Sequence, residues 1–259
     1  MKTQILCVDA NGRTAKDDLV AVEQPLDIHV NGHSFSLTMR TPGNDEDLVA
    51  GLLFAEGVIQ SQRDILSFSR KSSNHLNIEL ISPFDPANFE RKIITTSACG
   101  ICGLREIEDR LALPKIPPSD FAITANALHG LPKALEEKQK VFQETGGLHA
   151  AAWFDTNGRI LLTREDVGRH NAVDKLVGHS VREGITPLPH LGLLVSGRIA
   201  FEIVQKAAKA GIPFLAAMGA PTSLAIHCAD LAGISLVGFL RADRANVYSG
   251  FERLLPRCY

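Results

Sequence analysis

The sequence predicts an α/β protein, α+β overall, with a small N-terminal α+β domain (residues 1–113) followed by a layered α/β domain (residues 114–259). Its 259 residues are 45% hydrophobic, which is enough for one large core or two modest ones. Short strands and one helix dominate the first third, whereas strands alternate with helices after Leu148. Pro114, Pro117 and Pro118 mark the joint between the two regions.

The charge balance argues against binding to nucleic acid or to a membrane surface. Lysines and arginines number 27 against 29 acidic residues, so any anion site has to be local. No apolar run approaches the roughly 18 residues of a membrane span, and the apolar run at the N-terminus is too short for a signal peptide. We therefore expect a cytoplasmic protein. In a reducing compartment, cysteines serve metal binding or catalysis more often than structural bridges, and this chain has five.

The first third predicts strands around a hairpin and one short helix. Residues 26–30 and 33–39 alternate on either side of Asn31-Gly32, which is a strong hairpin signal. Acidic residues 45–47 then precede an apolar run at 48–54 that ends before Gly57, as in a helix. Further strands are expected at residues 65–69 and 76–81.

The C-terminal region predicts helices, then a hairpin, then alternating strands and helices. Ser119 and Asp120 are expected to cap a helix that runs to about residue 128, and a charged helix is expected at 131–145. A hairpin is expected at 150–154 and 160–163, and Gly211 and Gly233 stand where helix C-terminal glycines belong. The remaining strands are expected at 191–195, 214–217 and 234–240, and the remaining helices from about 167 and at 198–210 and 222–232.

Polar and cationic segments follow four of these strands. In an open α/β sheet ligands lie beyond the carboxyl ends of the strands, and three of the four segments start helices, whose N-terminal amides bind phosphate. Arginines supply forked donors for the same group. The segments are residues 164–171, 196–198, 219–223 and 241–244. They predict an anionic, nucleotide-like ligand, although no G-x-G-x-x-G or Walker loop is present.

Residues 165–175 are unusually rich in charged and polar side chains. His170 and Asp174 share a helix face, as do Asn171 and Lys175. The segment is either a solvated, salt-linked face or part of a ligand site, and its density favours buried partners or a ligand.

Cys99 and Cys102 form a C-x-x-C motif for which three interpretations compete. Structural zinc usually needs four ligands, and no second C-x-x-C exists, although His149, His170 or His227 could contribute in space. A dithiol redox motif would be expected to open a helix after a strand. The third interpretation is a nucleophilic cysteine that carries a transferable group such as a persulfide sulfur.

Several motifs closely resemble those of the formate dehydrogenase accessory protein family, FdhD. The match covers nearly the whole chain, from Thr41-Pro42 and Glu56-Gly57 onward. Its motifs are the segments 95–103 (TTSACGICG), 165–175 (EDVGRHNAVDK), 195–198 (VSGR) and 238–241 (GFLR).

The resemblance implies a sulfurtransferase. It would take persulfide sulfur from a cysteine desulfurase and pass it to the molybdenum or tungsten bis(molybdopterin guanine dinucleotide) cofactor before this enters formate dehydrogenase. Cys99 then corresponds to the persulfide carrier and Cys102 to the assisting thiol. The resemblance also implies a homodimer and a three-layer C-terminal domain like that of cytidine deaminases. The deaminase H-x-E is absent, because the nearest triplet is His149-Ala150-Ala151.

The resemblance also implies a ligand segment. In that family the guanine-dinucleotide cofactor binds at the positions of Phe239, Leu240, Arg241, Ala242, Asp243 and Arg244. Ala242 departs from the common pattern, in which glycine is frequent. The strand-end argument adds Arg169, His170, Ser196 and Arg198 as anion contacts. We expect no tightly bound metal of the protein's own, and the alternative function is a non-catalytic chaperone that shelters the cofactor while the cysteines gate the site.

Overall fold

The computed structural model describes residues 1–10, 12–86 and 113–256. The two cysteines of the C-x-x-C motif, Cys99 and Cys102, therefore lie outside the described residues. Within them, no helix combines the length and apolarity that a membrane span requires.

The chain begins with a two-stranded hairpin that the sequence did not predict. Strands β1 (Lys2–Asp9) and β2 (Gly12–Leu19) pair antiparallel. Every residue of β2 is exposed. A strand without a buried face needs no alternation of apolar and polar residues, and that alternation is the pattern by which a half-buried strand is recognised in a sequence.

A four-stranded sheet follows, with β3 (Gln24–Val30), β4 (His33–Arg40), β5 (Ile65–Ser72) and β6 (His75–Leu80) in the order β4-β3-β6-β5. Asn31 and Gly32 both have positive φ, at 50° and 78°, as the predicted hairpin turn requires. Leu26, Ile28 and Val30 point into the core, which leaves Asp27 and His29 on the opposite face. The hairpin prediction is confirmed.

Helix α1 (Asp45–Glu56) lies between β4 and β5 and ends at Gly57, which adopts the left-handed conformation with φ 76°. The helix prediction is confirmed. Its first-turn acids hold arginines from other elements: Asp45 pairs with the buried Arg40 at 2.9 Å, and Asp47 pairs with Arg182 at 2.6 Å.

Two helix predictions after the proline-rich joint are wrong in their bounds. The short strand β7 (Ile123–Thr124) precedes α2 (Ala125–Glu136), and α3 (Lys140–Thr145) is separate. Ser119 does not cap a helix, because its hydroxyl bonds the carbonyl of Pro189 and the amide of Phe121. The Thr124 hydroxyl caps α2 instead by accepting from the Ala127 amide at 3.2 Å.

A six-stranded sheet forms the centre of the C-terminal region, and its strands and helices confirm the expected alternation. They are β8 (His149–Phe154), β9 (Ile160–Asp166), α4 (Arg169–Arg182), β10 (Gly192–Val195), α5 (Phe201–Lys209), β11 (Phe214–Ala217), α6 (Ser223–Ala232), β12 (Ser235–Gly238) and β13 (Asn246–Ser249). A last short strand, β14 (Leu254–Leu255), pairs with β7.

The strand order is β13-β12-β11-β10-β8-β9. Strands β10, β11 and β12 are parallel, and β8 is antiparallel to both β10 and β9. The carboxyl ends of β9 to β12 therefore meet at one edge, together with the start of β8. Alternate strand residues bury on opposite faces, since Leu193 joins one hydrophobic cluster and Leu194 the other.

Helix α1 packs directly against α4, and the larger hydrophobic cluster includes residues from both sides of the proline-rich joint. The division at residue 113 stays a prediction. The two helices approach closely at glycines. A Cβ atom on Gly51 would lie 1.9 Å from the carbonyl oxygen of Asp174, and one on Gly178 would lie 1.8 Å from that of Asp47.

We expect Gly178→Ala to lower the free energy of unfolding by about 2 kcal/mol or more. The new methyl group would overlap the backbone of α1 at Asp47 and Gly51, and only a shift of α1 away from α4 can relieve the overlap. Gly130→Ala in α2 is the matched control. A Cβ there meets nothing within 4 Å, so the helix should gain about 0.5–1 kcal/mol. Urea denaturation measures both, and equal stabilities would contradict the packing account.

Candidate functional site

A cavity of about 530 Å³ opens at the sheet edge where the parallel strands end. Its residues come from the start of β8, the start of α4 and the segments that follow β10, β11 and β12. They are His149, Arg169, Ser196, Gly197, Arg198, Met218, Gly219 and Arg241.

Four of the residues expected to contact a ligand line this cavity: Arg169, Ser196, Arg198 and Arg241. His170 is the next residue of α4 and does not line it. In the segment after β12, Leu240 is buried in the smaller hydrophobic cluster, so its side chain serves packing. The other members of that segment, Phe239, Ala242, Asp243 and Arg244, are exposed beside the cavity.

Among the described residues, the lining carries three guanidinium groups and no carboxylate. Arg198 and Arg241 are exposed, whereas Arg169 is half-buried. The Nε of Arg169 is buried and has no hydrogen-bond partner among the described residues. A buried donor without a partner is costly, and an anionic ligand would satisfy it. The arrangement suits phosphate or carboxylate groups, which arginine binds through paired hydrogen bonds.

Arg241 is oriented by the backbone around it. Its Nη1 donates to the carbonyl oxygens of Met218 at 2.6 Å and Leu240 at 2.7 Å. Its own backbone amide donates to the carbonyl of Arg244 at 2.8 Å, which closes the turn after β12. These bonds fix the orientation of the Arg241 side chain, which lines the cavity.

Two glycines bring the strand-end segments into contact. The amide of Gly219 donates to the carbonyl of Gly197 at 3.2 Å, and a Cβ on Gly219 would lie 2.6 Å from that oxygen. A Cβ on Gly197 would lie 3.3 Å from the Nδ1 of His149. Packing therefore requires the bare backbone at Gly219, and both glycines line the cavity.

The surroundings of the two imidazoles near the cavity disfavour their protonated form. Burial lowers the pKa of His149, and the neighbouring Arg169 lowers it further. Burial lowers the pKa of His170 to about 4, with further contributions from Lys206 and Arg169. The positive charge of the site therefore comes from the arginines.

The polar segment 165–175 is explained by buried partners within the protein. Asp166 is fully buried, pairs with Lys175 at 2.7 Å and accepts from the amides of Thr41 at 3.1 Å and Gly168 at 2.8 Å. The side-chain amide of Asn171 donates to the same carboxylate at 2.9 Å. This Asp166 network fixes the start of α4, where Arg169 stands.

Other polar residues of that segment also have structural partners. Asp174 forms a buried ion pair with Lys206, and burial raises the pKa of its carboxyl group. The Glu165 carboxylate accepts from the amides of Val141 and Phe142 at the start of α3.

The sequence singled out His149 only as a possible zinc ligand and did not single out Met218. His149 lines the cavity because β8 runs antiparallel to β10, which brings the first residue of β8 to the edge where β10 ends. Met218 lines it because it directly follows β11, which is parallel to β10. No local motif signals this pairing. Cys99 and Cys102, the proposed sulfur-carrying pair, lie outside the described residues.

We expect His170 to titrate near pH 4 in the folded protein, against about 6.5 when unfolded. As the pH falls below about 6.5, the unfolded chain protonates at His170 before the folded protein does. Protonation of His170 therefore lowers the free energy of unfolding as the pH falls from about 6.5 to 4, and has no effect on it above about pH 6.5. NMR titration measures the pKa, and His170→Gln should remove this part of the pH dependence. A pKa at or above 6.5 would contradict the buried, cationic surroundings.

Known proteins are similar to this chain in sequence and in fold. A sequence profile of the FdhD/NarQ family matches residues 21–255. The sulfur carrier protein FdhD of Nocardia farcinica is 46% identical over 254 residues, covering 94% of this chain and 90% of the relative. The protein of the same name from Sulfurisphaera tokodaii is 42% identical over 243 residues, covering 93% of each chain.

A solved structure supports the mixed α/β fold. The crystal structure named as a formate dehydrogenase accessory protein from Desulfotalea psychrophila matches with a TM-score of 0.80 at 24% identity. The match covers 98% of this chain and 99% of that one. With the profile match and the close relatives, the conclusion is that the chain belongs to the FdhD/NarQ family.

Proposed function

We propose that this protein is a sulfur carrier that receives persulfide sulfur on Cys99 and delivers it to a bis-guanine-dinucleotide cofactor of molybdenum or tungsten. The cofactor is the substrate and is held at the strand-end cavity. The observation that carries the proposal is the trio of arginines, Arg169, Arg198 and Arg241, around that cavity in a member of the FdhD/NarQ family.

The positive charge of the cavity lining supports a ligand that carries phosphate groups. Each guanine dinucleotide contains a pyrophosphate. Three guanidinium groups, with no carboxylate among the described lining residues, complement such anions. The imidazole of His149, whose pKa burial lowers, and the hydroxyl of Ser196, whose oxygen already accepts from the Ala150 amide at 2.9 Å, offer further polar contacts. The exposed segment at residues 241–244 borders the cavity and is proposed to contact the same ligand.

The sulfur side rests on the C-x-x-C motif and on relatives named as sulfur carrier proteins. In the proposed first step the Cys99 thiolate attacks the outer sulfur of a persulfide on a cysteine desulfurase. The donor's sulfur–sulfur bond breaks, its thiolate leaves, and Cys99 now carries the persulfide. Cys102 is the assisting thiol. In the second step the sulfur–sulfur bond at Cys99 breaks, the outer sulfur passes to the cofactor, and the Cys99 thiolate is the leaving group. The cofactor is then inserted into formate dehydrogenase.

The family resemblance also implies where this protein acts, its oligomeric state and its partners. We place the protein in the cytoplasm as a homodimer that interacts with a desulfurase and with formate dehydrogenase. A cytidine-deaminase-like C-terminal domain stays a prediction of the same kind.

Incubation with a cysteine desulfurase and cysteine should add the mass of one sulfur to Cys99, because a thiolate there attacks the donor persulfide. Mass spectrometry of the intact chain and of its peptides measures the adduct. Cys7→Ala, which alters a thiol in β1, is the control and should keep it. An unmodified wild type, or an undiminished adduct in Cys99→Ala, would overturn the sulfur-carrier proposal. Formate dehydrogenase activity that survives Cys99→Ala with Cys102→Ala would favour the chaperone alternative.

We expect Arg198→Gln to weaken the binding of guanosine diphosphate by about tenfold or more, the cost of a lost charge-assisted hydrogen bond. Arg198 is exposed, so its replacement should not disturb the fold. Arg159→Gln is the matched control, since that arginine is also exposed and pairs with Asp155 away from the cavity. Calorimetric titration of both variants gives the comparison, and equal dissociation constants would exclude Arg198 as a contact.

A further inference from the structure

Two histidines and an aspartate meet on the outer face of the N-terminal sheet. Asp27 and His29 are two residues apart on β3, so their side chains share a face, and His75 on β6 stands directly opposite Asp27. Among the described residues this is the one group of three metal-ligating side chains whose ligand atoms all lie within 4.8 Å of one another. Neither the cavity nor the proposed sulfur transfer uses it.

The distances within this triad fit a metal ion. The Oδ2 of Asp27 lies 3.1 Å from the Nε2 of His29 and 3.6 Å from the Nδ1 of His75. Ligand atoms placed about 2.0–2.1 Å from a tetrahedral ion are about 3.3 Å apart. Small rotations of the two imidazoles would therefore bring all three atoms onto one ion.

The nitrogen of His75 that faces the aspartate has no hydrogen-bond partner among the described residues. It is buried, and the 3.6 Å separation from Asp27 is too long for a hydrogen bond. Burying such an atom unsatisfied is costly. A metal ion would use its lone pair.

His29 is oriented as a metal ligand usually is. Its Nδ1 lies 3.4 Å from the carbonyl oxygen of Gly32 in the hairpin turn, which leaves Nε2 directed at the aspartate. A ligating histidine commonly donates its other ring N–H to a backbone carbonyl, because this fixes the tautomer and the ring orientation. The edge-to-face contact of the His29 and His75 rings, with centroids 4.3 Å apart, holds both nitrogens near the carboxylate.

From this geometry we propose that Asp27, His29 and His75 form a binding site for a divalent transition-metal ion of the Zn²⁺ type. Two imidazole nitrogens and one carboxylate oxygen are ligands that Zn²⁺ accepts, and they leave a fourth position for water. Asp27 is 46% exposed, which gives the ion a path from solvent. The bound ion links β3 to β6 and so stabilises the N-terminal sheet.

The test titrates Zn²⁺ into the full chain carrying Cys99→Ser and Cys102→Ser, so that those thiols cannot bind the metal. One equivalent should bind, and a hundredfold excess over the dissociation constant should raise the melting temperature by about 5 °C. His75→Gln should weaken binding by about tenfold or more. Co²⁺ in place of Zn²⁺ should give d–d bands without thiolate charge transfer.

His190→Gln is the matched control. His190 also lies 3.1 Å from an aspartate, Asp120, but is exposed and belongs to no triad among the residues that the structure describes, so its loss should leave zinc affinity within about twofold. If His75→Gln does not fold, as judged by circular dichroism, His29→Gln provides the same comparison. A chain that binds no zinc, or one whose affinity is the same with and without the triad histidines, overturns the proposal.

Discussion

The buried carboxylate of Asp166 is the constraint on which the functional edge of this protein depends. It is fully removed from solvent and receives hydrogen bonds from a segment between β4 and α1, from the turn before α4 and from α4 itself. A charge buried in this way is tolerated only when it is paired and hydrogen-bonded, and Lys175 supplies the pairing charge. Because the bonds come from distant parts of the chain, the start of α4 can hold one position relative to the N-terminal sheet.

The position of α4 in turn places Arg169 beside the ends of β10 and β11. The Nε of that arginine is left buried without a partner in the described parts of the chain, next to the exposed Arg198 and Arg241. Burial and neighbouring positive charge disfavour protonation of His149 and His170, so the imidazoles add little to the repulsion among the arginines. The result is an anion site whose positive charge comes from arginines, which stay protonated around neutral pH. Such a site suits a ligand with several phosphate groups.

Much of this architecture could be predicted from the sequence. The hairpin at Asn31-Gly32, helix α1 and the alternating strands and helices after Leu148 follow from local turn chemistry and periodicity. Convergence of Arg169, Ser196, Arg198 and Arg241 followed from the rule that parallel strands end at one edge.

What could not be predicted depends on contacts between distant residues. The polar segment 165–175 suggested partners or a ligand, and only the fold shows that Thr41, Lys206 and the start of α3 supply the partners. Ser119 has the chemistry of a helix cap, but its hydroxyl is used by Pro189 and Phe121. His75 lies opposite Asp27 because β6 pairs in parallel with β3, and no local sequence pattern predicts this pairing.

The proposed function requires that the strand-end cavity receive a guanine-dinucleotide cofactor to which Cys99 delivers sulfur. A crystal structure of the protein with a bound guanine nucleotide tests this requirement most directly. Phosphate groups should contact Arg169, Arg198 and Arg241, and the sulfur of Cys99 should lie within reach of the cavity. A nucleotide bound elsewhere, or a Cys99 held far from the cavity in that complex, would contradict it.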